Sequence, residues 1–106
     1  MINKIGSANI TKKYQTVSVV IVNWNRFEDT CECIDSLLAQ KGVSLKITCV
    51  DNGSSDNSGS RLRDKYDQIQ LLQLNRNLGF AGGYNLGIKE ALKQNTDNNL
   101  IINNTI

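Results

Sequence analysis

The stretch TVSVVIVNWN, residues 16–25, points to the fold class of this chain. Its β-branched residues follow one another with little alternation between apolar and polar side chains. Such a run is typical of a strand that is covered on both faces, as in a parallel sheet. The run consists of Val17, Val19, Val20, Ile21 and Val22.

The residues after this run alternate between helical and extended patterns. The segment 26–42 places apolar residues at helical spacing and ends on Gly42, which fits a helix stop. Further strands are predicted over Leu45–Val50, Ile69–Leu74 and Leu100–Ile102, with a polar helix between the first two of these. A strand–helix unit repeated three times and followed by a strand predicts an α/β fold with a parallel sheet and flanking helices.

The glycine-rich segment LNRNLGFAGGYNLG, residues 74–87, precedes the last predicted helix. We expect Leu86, Ile88 and Leu92 to face inward from that helix. Glycine allows the backbone to approach a ligand closely, and a helix start offers unpaired N–H groups to phosphate. Close packing of helix on sheet is the alternative explanation, above all for Gly87.

Composition excludes several classes of function. The net charge is +2 and aromatic residues make up 6%, so neither a nucleic-acid surface nor a membrane surface is indicated. No histidine is present, which removes Ser-His-Asp triads and most zinc sites from this chain. The three cysteines, Cys31, Cys33 and Cys49, form no disulfide framework and suggest reduced thiols in the cytoplasm.

Polar residues follow every predicted strand, at the sheet edge where α/β proteins bind ligands. The loop after the first strand lacks glycine, which excludes a standard dinucleotide site, and the chain contains no P-loop. Asp51 is the one carboxylate at a strand end, and it could accept a hydrogen bond from the imide N–H of a pyrimidine base. A plain turn aspartate is the alternative.

Four segments in order, namely VSVVIVNWNRFEDTCECIDSLLAQ, ITCVDNGSSDNS, LNRNLGFAGGYNLGIKEAL and LIINNT, resemble the family 2 glycosyltransferases of the GT-A fold, closest to the rhamnosyltransferase-like branch. The resemblance implies a Rossmann-like domain that binds a nucleotide-diphosphate sugar and a divalent metal, and that transfers the sugar with inversion. Residues 1–16 are then a flexible polar lead-in. Residues 17–106 are the N-terminal, nucleotide-sugar-binding part of an incomplete domain for polysaccharide biosynthesis.

The resemblance also implies which residues bind the donor. Trp24 would stack on the base or form a wall of the pocket, with filling of the core as the alternative, and Asp51 would accept from the base. The remaining positions would line the nucleotide or shape its loops. The whole predicted set is Val22, Asn23, Trp24, Asn25, Asp51, Asn52, Gly53, Asn77, Gly79, Gly82, Gly83 and Asn85.

The chain departs from the family pattern at its metal site. The family places an aspartate after two asparagines, whereas this chain reads Asn103, Asn104, Thr105. Either Thr105 replaces the carboxylate or one residue is deleted after Asn104. Neutral oxygens hold a hard cation less well than a carboxylate, so we expect poor binding of Mn²⁺ or Mg²⁺ by this chain.

Length is the second departure from the family. A working catalytic domain needs about twice this chain, and no catalytic base is identified here, so we expect a fragment that is inactive alone. The expected partners are a UDP- or dTDP-linked sugar and a glycan or lipid-linked acceptor at the cytoplasmic membrane face, with a homodimer forming through an exposed sheet edge. The alternative function is a non-catalytic remnant that binds nucleotide or oligomerises.

Overall fold

The computed structural model describes residues 15–102, in which strands and helices alternate. The elements in chain order are β1 (Gln15–Asn23), α1 (Phe27–Leu38), β2 (Val43–Asp51), α2 (Ser58–Lys65), β3 (Ile69–Gln73), α3 (Gly79–Ala91) and β4 (Asn98–Ile102). β1 begins two residues before the predicted start of the domain at Val17. None of the helices within these residues is long and apolar enough to cross a membrane.

The strands form one four-stranded sheet in the order β3-β2-β1-β4, and every pairing is parallel. The register places Asn23, Asp51 and Gln73 side by side at the carboxyl ends of β1, β2 and β3. The predicted α/β class, with a parallel sheet and flanking helices, is therefore confirmed. The alignment of these three strand ends determines which loops meet at the site.

The core lies on both faces of the sheet, because successive strand residues point to opposite sides. Ile21 and Cys49 pack on the face covered by α1 and α2, where Leu62 of α2 is also fully buried. Val20 and Val50 pack on the other face, which α3 covers. This two-sided burial explains why the first strand is apolar almost throughout.

The inward face of α3 differs in part from the prediction, because Ile88 packs against the core as expected whereas Leu92 does not. Leu92 is 66% exposed and was wrongly expected to face the core. The buried residues of α3 are instead Gly83, Tyr84, Gly87 and Ala91. A Cβ at Gly87 would overlap Val20 Cγ1 and lie 3.0 Å from Val50 Cγ2, so the helix approaches the sheet too closely for larger side chains. Close packing, the alternative considered for Gly87, is what the structure has there.

Candidate functional site

Three loops meet at the carboxyl edge of the sheet, one after each of β1, β2 and β3. They comprise residues 24–26, 52–57 and 74–78. Ligands of open parallel sheets bind at this edge, so the side chains that connect these loops define the candidate site. Those connections are hydrogen bonds in which the side chain of an asparagine or a serine takes part, most often with a backbone group of the neighbouring loop.

Asp51 lies at the centre of these connections and is fully buried. Its Oδ1 accepts hydrogen bonds from Asn23 Nδ2 at 2.8 Å and from Ser54 Oγ at 2.6 Å. Its Oδ2 accepts from Gln73 Nε2 at 2.6 Å and from the Ser54 backbone N–H at 3.2 Å. Both oxygens are thus used inside the protein. Direct contact with a base, which stays a prediction, would require Asp51 to give up one of these bonds.

The loop after β1 is tied to the loop after β2 by reciprocal bonds. The Asn25 backbone N–H donates to Ser54 Oγ at 2.9 Å, and the Ser55 backbone N–H donates to Asn25 Oδ1 at 2.8 Å. Asn25 adopts a left-handed conformation with φ 52°, which asparagine tolerates better than most residues. Asn23, at the end of β1, is held in place by α1, because its Oδ1 accepts a hydrogen bond from Thr30 Oγ1 at 2.6 Å.

The loop after β2 is tied to the loop after β3 through Asn52. The Asn52 amide group donates to Asn77 Oδ1 at 3.1 Å and to the Gly79 carbonyl at 3.0 Å, while its Oδ1 accepts from the Leu78 N–H at 2.9 Å. Asn77 Oδ1 also accepts from the Gly79 N–H at 2.6 Å. Asn52 therefore fixes the entry into α3.

Gly53 allows these two loops to touch. Its φ is +74°, and a Cβ placed there would lie 2.6 Å from Arg76 Cα and from Asn77 N. Any side chain at this position would therefore meet the backbone of the neighbouring loop. This close approach explains why glycine stands at this position, while the role of Gly53 at a nucleotide site stays a prediction.

Trp24 projects from the loop after β1 and is 48% exposed, so it does not fill the core. It lines a cavity of about 400 Å³ together with Asn25, Arg26, Glu28 and Asp29. Two of these lining residues form an ion pair, with Arg26 Nη1 2.7 Å from Asp29 Oδ2. Arg26 is thus paired with one of the two carboxylates of the lining, and the exposed aromatic face of Trp24 is the feature of this cavity that suits a flat ligand.

The glycines that begin α3 divide into two kinds. Gly79 has φ +81° and open space around it, so its conformation is what requires glycine. Gly83 is buried, and a Cβ there would lie 3.1 Å from both Asn52 Nδ2 and Val22 Cγ1, which gives it a packing role. Gly82 faces Leu78 and Asn85 is exposed on the helix. The placement of Gly82, Gly83 and Asn85 along a nucleotide stays a prediction.

The predicted metal positions, Asn104 and Thr105, lie outside the described residues. Within residues 15–102, no group of three or more His, Cys, Asp or Glu side chains is arranged to hold a metal ion. Burial raises the pKa of the Cys49 thiol, and the nearby Asp51 charge raises it further. This thiol stays protonated and offers no nucleophile beside the site.

Sequence reasoning missed Gln73 and Thr30, which hold Asp51 and Asn23 in place. A polar residue near the end of a strand adjacent to Asp51 was the available signal for Gln73. The signal becomes specific only with the strand register, which pairs Asp51 with Gln73.

Comparison with known proteins matches this chain to one glycosyltransferase family and to several named proteins of sugar transfer or glycan biosynthesis. The profile of glycosyl transferase family 2 matches residues 18–102. The succinoglycan biosynthesis protein ExoO of Rhizobium meliloti is 32% identical over 80 residues, which cover 74% of this chain and 23% of that protein. The glycosyltransferase GlyG of Streptococcus pneumoniae is 31% identical over 81 residues, covering 73% and 27%. The low-salt glycan biosynthesis hexosyltransferase Agl10 of Haloferax volcanii is 32% identical over 102 residues, covering 90% and 31%.

Proposed function

Because the chain belongs to glycosyl transferase family 2, whose members use a nucleotide-sugar donor and a glycan acceptor, we propose that residues 15–102 form the donor-binding part of such an enzyme. The observation that supports this most is the meeting of three hydrogen-bonded loops at one sheet edge, with the exposed Trp24 at its rim. The matched relatives are longer, and this chain spans about a quarter of the first ones.

The proposed donor is a UDP- or dTDP-linked sugar. Trp24 would stack on the pyrimidine, since its ring is accessible beside the polar loops. The diphosphate would lie at the start of α3, where Gly79 leaves open space and the first-turn N–H groups carry the positive end of the helix dipole. Membership of the rhamnosyltransferase-like branch stays a prediction, and it assigns no sugar to the donor.

We propose an inverting transfer for the whole enzyme. The acceptor hydroxyl attacks the anomeric carbon, a general base takes its proton, and the nucleoside diphosphate leaves. The described residues bind and orient the donor, and we assign the base and the acceptor site to residues beyond them. Residues 15–102 alone would therefore bind donor without turnover.

Family 2 enzymes generally use a divalent metal, here proposed as Mn²⁺ or Mg²⁺. Residues 15–102 contain no group of three or more His, Cys, Asp or Glu side chains arranged for such an ion, and the predicted metal positions lie outside them, so no step is assigned to the metal. We also propose a cytoplasmic location, which the three free cysteines Cys31, Cys33 and Cys49 support, and an acceptor that is a glycan or is lipid-linked at the membrane face.

Calorimetric titration with UDP, dTDP, ADP and GDP tests the donor site. We expect UDP and dTDP to bind, because the exposed ring of Trp24 can stack on the base, and ADP and GDP show whether stacking alone sets the affinity. Trp24→Leu should abolish most of the affinity. Leu92→Ser is the control, since Leu92 is exposed at the far end of α3. Failure of UDP and dTDP to bind, or equal binding by Trp24→Leu, would contradict the proposal.

Association through the sheet edge is a second candidate function. β4 is the outer strand of the described sheet, and Leu100 and Ile101 on it are 47% and 51% exposed. Unpaired edge groups beside apolar side chains favour pairing with a second copy. Sedimentation velocity should detect a dimer that Ile101→Lys converts to monomer. A monomer at all concentrations would exclude this candidate.

A further inference from the structure

We infer that Gln73 is a positioning residue for the donor site, acting through Asp51 on the loop that presents Trp24. This inference rests on the proposed donor-binding function. Gln73 is the last residue of β3. Among the residues predicted for the site, its side chain forms a hydrogen bond only with Asp51. Gln73 itself is exposed, and we place its effect in the bond to Asp51.

The first step is the bond between Gln73 and Asp51. Gln73 Nε2 lies 2.6 Å from Asp51 Oδ2, and it also donates to the Leu74 carbonyl at 3.1 Å. All the groups that donate to this fully buried carboxylate are neutral. A buried carboxylate without a cation depends on its complete set of hydrogen bonds. The amide of Gln73 is thus a principal support of Asp51.

The second step leads from Asp51 to the rim of the site. Asp51 Oδ1 holds the hydroxyl of Ser54, and this hydroxyl oxygen accepts the backbone N–H of Asn25. Asn25 directly follows Trp24 and lines the same cavity. A bond on β3 therefore helps to fix the orientation of a loop that follows β1, two strands away in the sheet.

The first turn of α2 is shaped to admit Gln73. A Cβ placed on Gly59 would overlap Gln73 Oε1 and would lie 2.9 Å from Gln73 Cδ and 3.1 Å from Asp51 Oδ2. Gly59 is buried, and its φ lies outside the range that requires glycine. Its lack of a side chain is therefore explained by the room that the Gln73 amide occupies above Asp51.

The opposite hypothesis is that a base displaces Gln73 and bonds to Asp51 directly. The two hypotheses predict changes of opposite sign when the amide is removed. If Gln73 positions the loop, its loss weakens nucleotide binding. If Gln73 competes with the base, its loss leaves Asp51 open and strengthens binding.

The test uses Gln73→Met, which keeps the length of the side chain and removes the donor. Gln70→Met is the matched control, because Gln70 lies on the same strand and bonds instead to Glu90 and Gln94. Two readouts apply to the whole chain: UDP affinity by calorimetry, and hydrogen exchange of the Asn25 and Ser55 amides by NMR. We expect Gln73→Met to weaken UDP binding about tenfold and to speed both exchange rates about tenfold, while Gln70→Met changes neither.

Gly59→Ala supplies a second variant that leaves both Gln73 and Asp51 in the sequence. Alanine favours a helix more than glycine does, so general loss of stability is not the expected cause of any change. Displacement of Gln73 should still weaken UDP binding and speed exchange at Asn25. If Gln73→Met and Gly59→Ala both leave exchange and affinity unchanged, or if affinity rises, the inference is wrong.

Hydrogen exchange and UDP affinity can fail independently, so a failure of the proposed function differs from a failure of this inference. Hydrogen exchange at Asn25 and Ser55 is measured without nucleotide, so it judges the link from Gln73 to the loop even if UDP does not bind. Failure of the wild-type chain to bind any pyrimidine nucleotide would instead overturn the proposed function. Equal exchange changes in Gln73→Met and Gln70→Met would indicate a general effect of β3 and would overturn the inference.

Discussion

Replacing Gly53 with alanine should separate the loops after β2 and β3. Gly53 adopts φ +74°, and its α-carbon faces the backbone at Arg76 and Asn77. An alanine methyl group would meet atoms that belong to the main chain, which cannot rotate away as a flexible side chain does. The substitution therefore adds a steric conflict to an unfavourable backbone conformation.

The magnitude follows from these two contributions. A left-handed conformation costs a residue with a Cβ about 1–2 kcal/mol. The methyl group would lie 2.6 Å from Arg76 Cα and Asn77 N, and overpacking of this kind costs about 1–3 kcal/mol more. The free energy of unfolding should therefore fall by about 2–5 kcal/mol, a large share of the stability of a small domain.

Urea unfolding followed by circular dichroism measures this change, and Gly42→Ala provides the matched control. Gly42 has φ +82°, nearly the same conformation, but no other group lies within 4 Å of its added Cβ. It should lose only the conformational contribution of about 1–2 kcal/mol. The difference between the two variants isolates the contact between the loops.

Equal losses in Gly53→Ala and Gly42→Ala would refute the argument, because they would mean that the two loops do not touch at Gly53. A smaller loss at Gly53 than at Gly42 would refute it more strongly. The Leu78 amide gives an independent readout, since it donates to Asn52 and should exchange faster in Gly53→Ala only.

Three further predictions concern the core. Thr48 is fully buried and its hydroxyl finds no partner within residues 15–102, so Thr48→Val should raise the free energy of unfolding by about 1–2 kcal/mol in urea titrations. Gly87→Ala should lower the free energy of unfolding by about 1–2 kcal/mol, because the overlap of the new methyl group with Val20 outweighs the gain in helix propensity. Adding Val20→Ala to the Gly87→Ala chain should recover part of this loss. Burial raises the pKa values of Cys49 and Tyr66 in the folded chain, so the unfolded chain loses these protons at lower pH than the folded chain does. The free energy of unfolding should therefore fall as the pH rises above 9.0. In thermal melts, Tyr66→Phe should reduce the part of this fall that occurs above pH 10.0.

The sequence was sufficient to predict the sheet, because two-sided burial leaves an unambiguous pattern. The β-branched run of the first strand requires cover on both faces, and the alternating helices provide it. The inward face of α3 could not be predicted in the same way. Apolar side chains such as Leu92 suggested one face, whereas the actual contact uses glycines that let the helix approach Val20. Small residues carry no hydrophobic signal, so periodicity alone overlooks such a face.

The candidate site was predictable in its residue types and its position, but not in its bonds. Turn-forming residues after strands indicate an edge rich in polar groups, and Asp51, Asn52 and Asn77 do meet there. Which oxygen accepts from which donor depends on strand register and side-chain rotamers, and neither is encoded in local spacing. Gln73 shows the limit, because its role depends on a pairing between strands that are distant in sequence.

The internal use of the polar side chains has a consequence for recognition. The side chains of Asp51 and Asn52 already bond to neighbouring strand ends, to loops and to the start of α3, so they are poorly placed to be the main contacts of a ligand. Groups left accessible at this edge include the ring of Trp24 and the guanidinium group of Arg76, whereas the Gly79 N–H and carbonyl already bond to Asn77 and Asn52. Stacking on the ring and the positive charge of an arginine recognise a planar base and a diphosphate without reading the sugar. We therefore expect the described residues to set affinity for the nucleotide, and the choice of sugar to depend on residues outside 15–102.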